Sequence, residues 1–103
     1  DWSNFGQYVH DEMKNNTCLG KFYKEGIKNA VETKRDGVRY GYQFWVYKVN
    51  GVPTLTMTGH GGFFNVINTS KNTILTMFSV DSKYKYGNLF SKGMISKIAE
   101  EIN

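Results

Sequence analysis

Three parts of the chain carry apolar residues at helical spacing. The first stripe steps by three or four positions through Trp2, Phe5, Val9 and Met13, which is the spacing of one helix face. A second stripe follows the polar break at 15–17, and a third lies near the C-terminus. The predicted helices span 2–14, 19–31 and 87–102.

Between the second and third helices the pattern changes to one typical of β-strands. The segment from Tyr42 to Val49 is aromatic and β-branched on both faces, so we expect it to be buried on both sides. Asn50-Gly51 follows it and indicates a hairpin, because a type I′ turn needs positive φ at both central residues. Pro53 cannot donate to a ladder and marks the entry of the next strand. The predicted strands span 41–49, 54–60, 63–68 and 73–80.

Together these elements predict one α+β unit. A chain of 103 residues forms one domain at most. The expected fold is an antiparallel sheet with N-terminal helices and a packed C-terminal helix. Residues 1–103 then divide into a helical part at 1–35, a β meander at 40–80 and a terminal helix at 87–102.

Composition and charge narrow the functional classes. The chain is 40% hydrophobic and 16% aromatic, which is typical of a globular protein. Its net charge is +4, but the lysines are scattered and no arginine-rich stripe is present, so a solvated surface is favoured over nucleic-acid binding. No apolar run approaches the length of a membrane span.

The residues that most often bind metals or act as nucleophiles are few. Cys18 is the single cysteine; it excludes an internal disulfide and is expected to be a small buried residue. His10 lies one step off the first apolar stripe and is expected at the surface or its boundary. The two histidines have no cysteine or carboxylate at ligand spacing, so neither a metal site nor a cofactor is predicted.

One segment, Thr58-Gly59-His60-Gly61-Gly62-Phe63, stands out by its neighbours. An aromatic segment at 40–46 precedes it, and a hairpin pattern at 64–79 follows it. In this order the chain resembles the C-terminal end of the β-lactamase-related serine hydrolases, a group that includes class C β-lactamases, penicillin-binding proteins, esterases and nylon-oligomer hydrolases. His60-Gly61-Gly62 falls where such proteins carry Lys-Thr-Gly or a His-x-Gly variant. The resemblance begins at Asp1-Trp2-Ser3-Asn4-Phe5-Gly6 and spans nearly the whole chain.

The resemblance implies a set of site residues. The imidazole of His60 would face the cleft and hydrogen-bond the nucleophile network or the polar end of a substrate. The backbone N–H of Phe63 would supply half of the oxyanion hole; many relatives carry Gln or another residue at this place, and a backbone donor tolerates that change of side chain. Gly61, Gly62 and Phe64 would contact the substrate, and two adjacent glycines permit a close approach of a ligand or backbone.

The resemblance also implies that the groups that do the chemistry lie elsewhere. In these hydrolases the nucleophile and its lysine come from a Ser-x-x-Lys helix, and a Tyr-x-Asn or Ser-x-Asn segment follows it. Ser82-Lys83-Tyr84-Lys85 has the first spacing, but it comes after His60, which is the wrong order. We therefore expect a C-terminal portion of a β-lactamase-like fold that is inactive alone. Its partners would be the N-terminal remainder of the same domain and an amide, ester or β-lactam-like substrate.

Two other interpretations stay open from the sequence. One is a free-standing, non-catalytic α+β module that binds a ligand or a protein through the bend at 59–64. The other is a polyanion-binding domain that uses the net charge of +4. Ser-x-x-Lys and Tyr-x-Asn in an upstream reading frame would favour the hydrolase, whereas a steep loss of nucleic-acid affinity with salt would favour the polyanion-binding domain.

Overall fold

A computed structural model of the chain describes residues 1–59, 63–78 and 94–102. Within these ranges two helices come first, a sheet follows, and a helix comes last. The elements are α1 (Trp2–Lys14), α2 (Cys18–Lys28), β1 (Val31–Glu32), β2 (Arg39–Gly41), β3 (Phe44–Val49), β4 (Val52–Gly59), β5 (Phe63–Asn68), β6 (Thr73–Met77) and α3 (Met94–Ile102). This architecture confirms the predicted α+β class.

Both N-terminal helices begin at a side-chain cap. Asp1 Oδ1 accepts a hydrogen bond from the N–H of Asn4 at 3.2 Å, and Thr17 Oγ1 accepts one from the N–H of Gly20 at 3.1 Å. Aspartate and threonine are preferred at this position because their oxygens satisfy helix N–H groups that have no partner inside the helix. The second helix ends at Lys28 and not at 31, because the chain then turns into β1.

The sheet is an antiparallel meander in which the described strands lie in chain order from β1 to β6. The turn between β3 and β4 has positive φ at both central residues, 50° at Asn50 and 81° at Gly51, as predicted. Pro53 is the second residue of β4 and pairs with Lys48 of β3. Among the described strands, β1 and β6 are the two edges.

The predicted strand at 41–49 is in fact the end of β2 and the whole of β3. A two-residue turn separates them, since Gly41 pairs with Phe44. Its central residues, Tyr42 and Gln43, have φ values of 53° and 73°. Bulky residues rarely adopt positive φ, so the surrounding packing must hold this turn.

Helices cover both faces of the sheet, and each face has its own core. Beneath α1 and α2 the core contains Val9, Met13, Phe44, Val46, Leu55 and Ile67. The opposite face packs against α3, and its core contains Val38, Tyr47, Val49, Phe64, Val66 and Ala99. Because β3 contributes side chains to both cores, the expectation that it is buried on both sides is confirmed.

Two expectations about single residues are wrong. His10 is buried, with 8% of its surface exposed, because the buried face of α1 runs through Gly6, Val9, His10 and Met13. Cys18 is exposed, since it is the first residue of α2 and lies on the outer side of that helix.

Other predicted elements are found with shifted bounds: the strand predicted from 54 begins at Val52, and the strand predicted to 80 ends at Met77, before Phe78. The strands predicted at 54–60 and 73–80 correspond to β4 and β6, and the helix predicted at 87–102 corresponds to α3. Positions 60, 79–80 and 87–93 lie outside the described residues. No helix in the described ranges is long and apolar enough to cross a membrane.

Candidate functional site

Four chain segments meet at one end of the sheet. There β4 ends at Gly59, β5 begins at Phe63, and Phe78 follows the last residue of β6. The start of α1 brings Trp2 to the same place. The predicted site residues His60, Gly61 and Gly62 connect β4 to β5 and lie outside the described residues, so their roles stay predictions.

An apolar pocket opens beside this connection. It has a volume of about 310 Å³ and is lined by Trp2, Gly59, Phe63 and Phe78. The rings of Phe63 and Phe78 meet edge to face, with centroids 5.2 Å apart, while Phe78 is 64% exposed. A cavity of this kind, open to solvent and walled by aromatic groups, suits an apolar portion of a ligand.

Phe63 and Phe64 point to opposite faces of β5, as consecutive strand residues do. The Phe63 side chain lines the apolar pocket, and its backbone is paired with Gly59 at the end of the ladder. Phe64 is only 1% exposed and belongs to the core under α3. The predicted backbone role of Phe63 stays a prediction, and a substrate contact of Phe64 would have to use its backbone.

Asn65 fixes the start of α1 to the sheet. This side chain is fully buried, its Nδ2 donates to the carbonyl oxygen of Trp2 at 2.8 Å, and its Oδ1 accepts from Thr76 Oγ1 at 2.6 Å. A Cβ on Gly6 would lie 3.0 Å from Asn65 Oδ1, so the glycine allows the close approach. Asn65 thus positions Trp2 in the pocket wall, a role that the sequence analysis missed.

A second concavity, here called the aromatic cleft, lies on the other side of Trp2. It has a volume of about 500 Å³ and is lined by Trp2, Arg35, Tyr40, Gln43, Phe44, Trp45, Met57 and Thr58. The Arg35 guanidinium carbon lies 5.2 Å from the centroid of the Trp45 ring, and Tyr40 meets Trp45 edge to face at 4.7 Å. The sequence indicated only that Trp45 belongs to a strand that is buried on both sides.

The turn at Tyr42 and Gln43 borders this cleft. Gln43 lines the cleft, while the Tyr42 ring packs 5.0 Å from that of Phe22 on α2. The hydroxyl of Tyr42 accepts a hydrogen bond from Asn29 Nδ2 at 3.5 Å. These contacts hold a backbone geometry that is costly for bulky residues, and such geometry often occurs next to binding sites.

Tyr47 belongs to the core under α3 and is hydrogen-bonded to Arg35, which lines the aromatic cleft. Burial raises the pKa of its hydroxyl above the ordinary value of 10.0, although the nearby positive charge of Arg35 and a hydrogen bond from it act in the opposite direction. The folded protein therefore keeps this proton at a pH at which the unfolded chain loses it. This contribution to stability is complete below pH 10 and is lost as pH rises through the folded-state pKa.

We expect the urea midpoint to fall between about pH 10 and pH 11 and to fall less steeply in Tyr47→Phe. The matched control is Tyr42→Phe, which removes a hydroxyl from a ring that is 38% exposed and should keep the wild-type slope. A Tyr47→Phe protein with the same slope as the wild type would contradict the assignment.

The described residues show no group of three histidine, cysteine, aspartate or glutamate side chains that could hold a metal ion. His10 Nδ1 lies 3.3 Å from Asp11 Oδ1. Hydrogen bonds from Gln7 and then from His10 lower the pKa of that carboxyl. His10 and Asp11 lie on α1, outside the residues that line the apolar pocket and the aromatic cleft, and we assign them no chemical role.

Comparison of the chain with family models, with curated proteins and with solved structures finds no match.

Proposed function

We propose that this chain is the C-terminal part of a β-lactamase-related serine hydrolase that cleaves amide or ester bonds through an acyl-enzyme. One observation carries the proposal: the His60-Gly61-Gly62 segment joins two antiparallel strands at the point where an apolar pocket opens. In the hydrolases that the sequence resembles, a strand with this motif lies beside the substrate. We assign two chemical roles at this place, one to the backbone of Phe63 and one to the apolar pocket.

The first role belongs to the backbone of Phe63. Acyl transfer builds negative charge on a carbonyl oxygen, and a fixed N–H donor stabilises that charge. Phe63 is the first residue of β5 and is held against Gly59, since a Cβ on Gly59 would lie 3.1 Å from Phe63 Cβ. The strand pairing keeps this part of the backbone rigid, which is what an oxyanion donor requires.

The second role belongs to the apolar pocket. Its walls are Trp2, Phe63, Phe78 and the backbone of Gly59, and none of these side chains carries a charge. Such a pocket would receive the apolar acyl or leaving portion of the substrate, while His60 would contact the polar end. Asn65 would act indirectly, by holding Trp2 through its carbonyl oxygen.

The nucleophile and its lysine base are assigned to the N-terminal remainder of the domain. Without them the chain can bind but cannot form an acyl-enzyme. We therefore expect the 103-residue chain to show no turnover of nitrocefin or of short p-nitrophenyl esters. The reading frame upstream should contain Ser-x-x-Lys followed by Tyr-x-Asn or Ser-x-Asn.

The decisive test uses the protein encoded by that whole reading frame. His60→Ala should lower kcat/KM for its ester or amide substrate by about 100-fold, the usual size of a lost transition-state contact. His10→Ala is the matched control, because it removes the other histidine of the chain at a place remote from the site. It should change kcat/KM little when both variants are compared below their melting temperatures.

Three results would overturn the proposal. One is an upstream frame without the serine and lysine motif. Another is a His60→Ala enzyme that is as active as His10→Ala. The third is turnover by the 103-residue chain itself that Ser82→Ala abolishes while the fold stays intact, because this would return the nucleophile to the chain.

A second candidate function is a free-standing ligand-binding module. The observation that favours it is that helices of this same chain cover both faces of the sheet. The upstream reading frame separates the two functions, since a binding module requires neither the serine nor the lysine.

A further inference from the structure

The aromatic cleft has the dimensions and lining of a ligand site. Its volume of about 500 Å³ falls within the range of small-molecule pockets. Most of the residues that line it are aromatic or apolar, and the polar groups of Arg35, Gln43 and Thr58 face the same space. This combination of a flat apolar wall with a few polar groups is what fixes the orientation of small ligands.

Arg35 determines which ligand charge the aromatic cleft favours. Among the residues that line the cleft, it is the one with a formal charge. Its guanidinium is held over the face of Trp45 at 5.2 Å and hydrogen-bonds Tyr47. A guanidinium presents several N–H donors in one plane, so it can contact Tyr47 and two oxygens of a carboxylate at the same time.

A cationic ligand fits the cleft less well. Aromatic walls can bind cations through the faces of their rings, but the Trp45 face already lies under the guanidinium of Arg35. A second positive charge at this distance would be repelled. The charge in the cleft therefore favours an anion.

The rings determine the shape of the ligand. Tyr40 and Trp45 meet at 4.7 Å and form a continuous wall, while Trp2 contributes another. Flat ring systems bury most surface against such walls and gain from stacking or edge contacts. From these observations we infer that the aromatic cleft binds a flat aromatic ligand carrying a carboxylate, with the carboxylate on Arg35 and the ring against the aromatic side chains of the cleft that Arg35 does not cover. The inference does not rest on the hydrolase function, because it concerns binding by the chain itself.

The test compares two ligands that differ in charge and share one ring system. Equilibrium dialysis of the 103-residue chain at pH 7 measures the Kd of 1-naphthoate and of 1-naphthamide. The method works whether or not copies of the chain associate with each other. We expect naphthoate to bind about tenfold more tightly, as a charge-assisted hydrogen bond allows. Arg35→Gln should remove this preference and leave the affinity for naphthamide nearly unchanged.

The matched control is Arg39→Gln, which makes the same change outside the aromatic cleft, beside Glu32 and Lys48. It should keep the wild-type preference. Arg35→Lys keeps the charge but loses the planar donor pair, so it should retain only part of the preference. If circular dichroism shows that Arg35→Gln is unfolded, the inference is tested by the preference for naphthoate over naphthamide in the wild-type chain and in Arg35→Lys. Equal affinity for the two ligands, no binding of either, or an equal loss in Arg39→Gln would overturn the inference.

Discussion

Replacing Gly20 with alanine is expected to lower the free energy of unfolding by at least about 3 kcal/mol, the upper part of the range for overpacked sites. A Cβ at this position would clash with the carbonyl oxygen of Glu12 and lie 2.5 Å from its carbonyl carbon. Both atoms belong to the backbone of α1, which also accepts a hydrogen bond from the N–H of Thr17 through the same oxygen at 3.3 Å. The clash cannot be relieved by turning a side chain, so the two helices must separate.

The comparison for this prediction is Gly26→Ala on the same helix. Each substitution gains about 1 kcal/mol of helix propensity, but the new Cβ at position 26 would meet the ring of Phe44 at 2.7 Å and that of Tyr42 at 2.9 Å. Rings can shift where a carbonyl cannot, so Gly26→Ala should cost less than Gly20→Ala. Urea unfolding followed by circular dichroism measures both, and an equal or smaller loss for Gly20→Ala would show that α1 and α2 do not cross so closely.

Gly26 also shows why part of the fold escaped prediction. A glycine inside a helix lowers the stability of that helix, yet Gly26 lets α2 approach the side chains of Tyr42 and Phe44. That contact, with the Phe22 ring at 5.0 Å, holds the tight turn between β2 and β3. No local sequence pattern predicts a turn made of Tyr and Gln, so the sequence predicted one continuous strand. Asn50-Gly51, whose signal is local, was predicted correctly.

The burial of His10 has a similar origin. An apolar stripe through Trp2, Phe5 and Val9 places His10 at the margin, but α1 turns Gly6 towards the sheet, where Asn65 occupies the space that a Cβ would fill. The helix is thereby rotated so that His10 faces inwards. The apolar periodicity predicted the helix correctly, while a long-range contact determined which of its faces is buried.

The candidate site was predictable only where its residues are consecutive. Phe63 was identified from the glycine-rich segment next to it, and the structure places its side chain in the apolar pocket. Trp2 and Arg35 come from distant parts of the chain, and the fold alone brings them to this end of the sheet. One signal was available for Asn65, because an amide within the apolar strand Phe63–Asn68 needs partners when it is buried.

The two adjacent phenylalanines of β5 allow the core to be distinguished from the site by one pair of substitutions. Phe64→Ala is expected to cost about 3–5 kcal/mol of unfolding free energy, because its ring is 1% exposed and fills the core under α3. Phe63→Ala should cost about 1 kcal/mol, the typical value for a point substitution, since its ring lines the apolar pocket and contacts Phe78 at its edge. The same change is thus made at neighbouring positions on opposite faces, and urea unfolding at equal protein concentration compares them directly. Phe63→Ala also keeps the backbone N–H that we propose as an oxyanion donor, so any change it makes to ligand binding reports the pocket wall alone. Losses of equal size would place Phe63 in the core and leave the chain without an apolar pocket for a substrate.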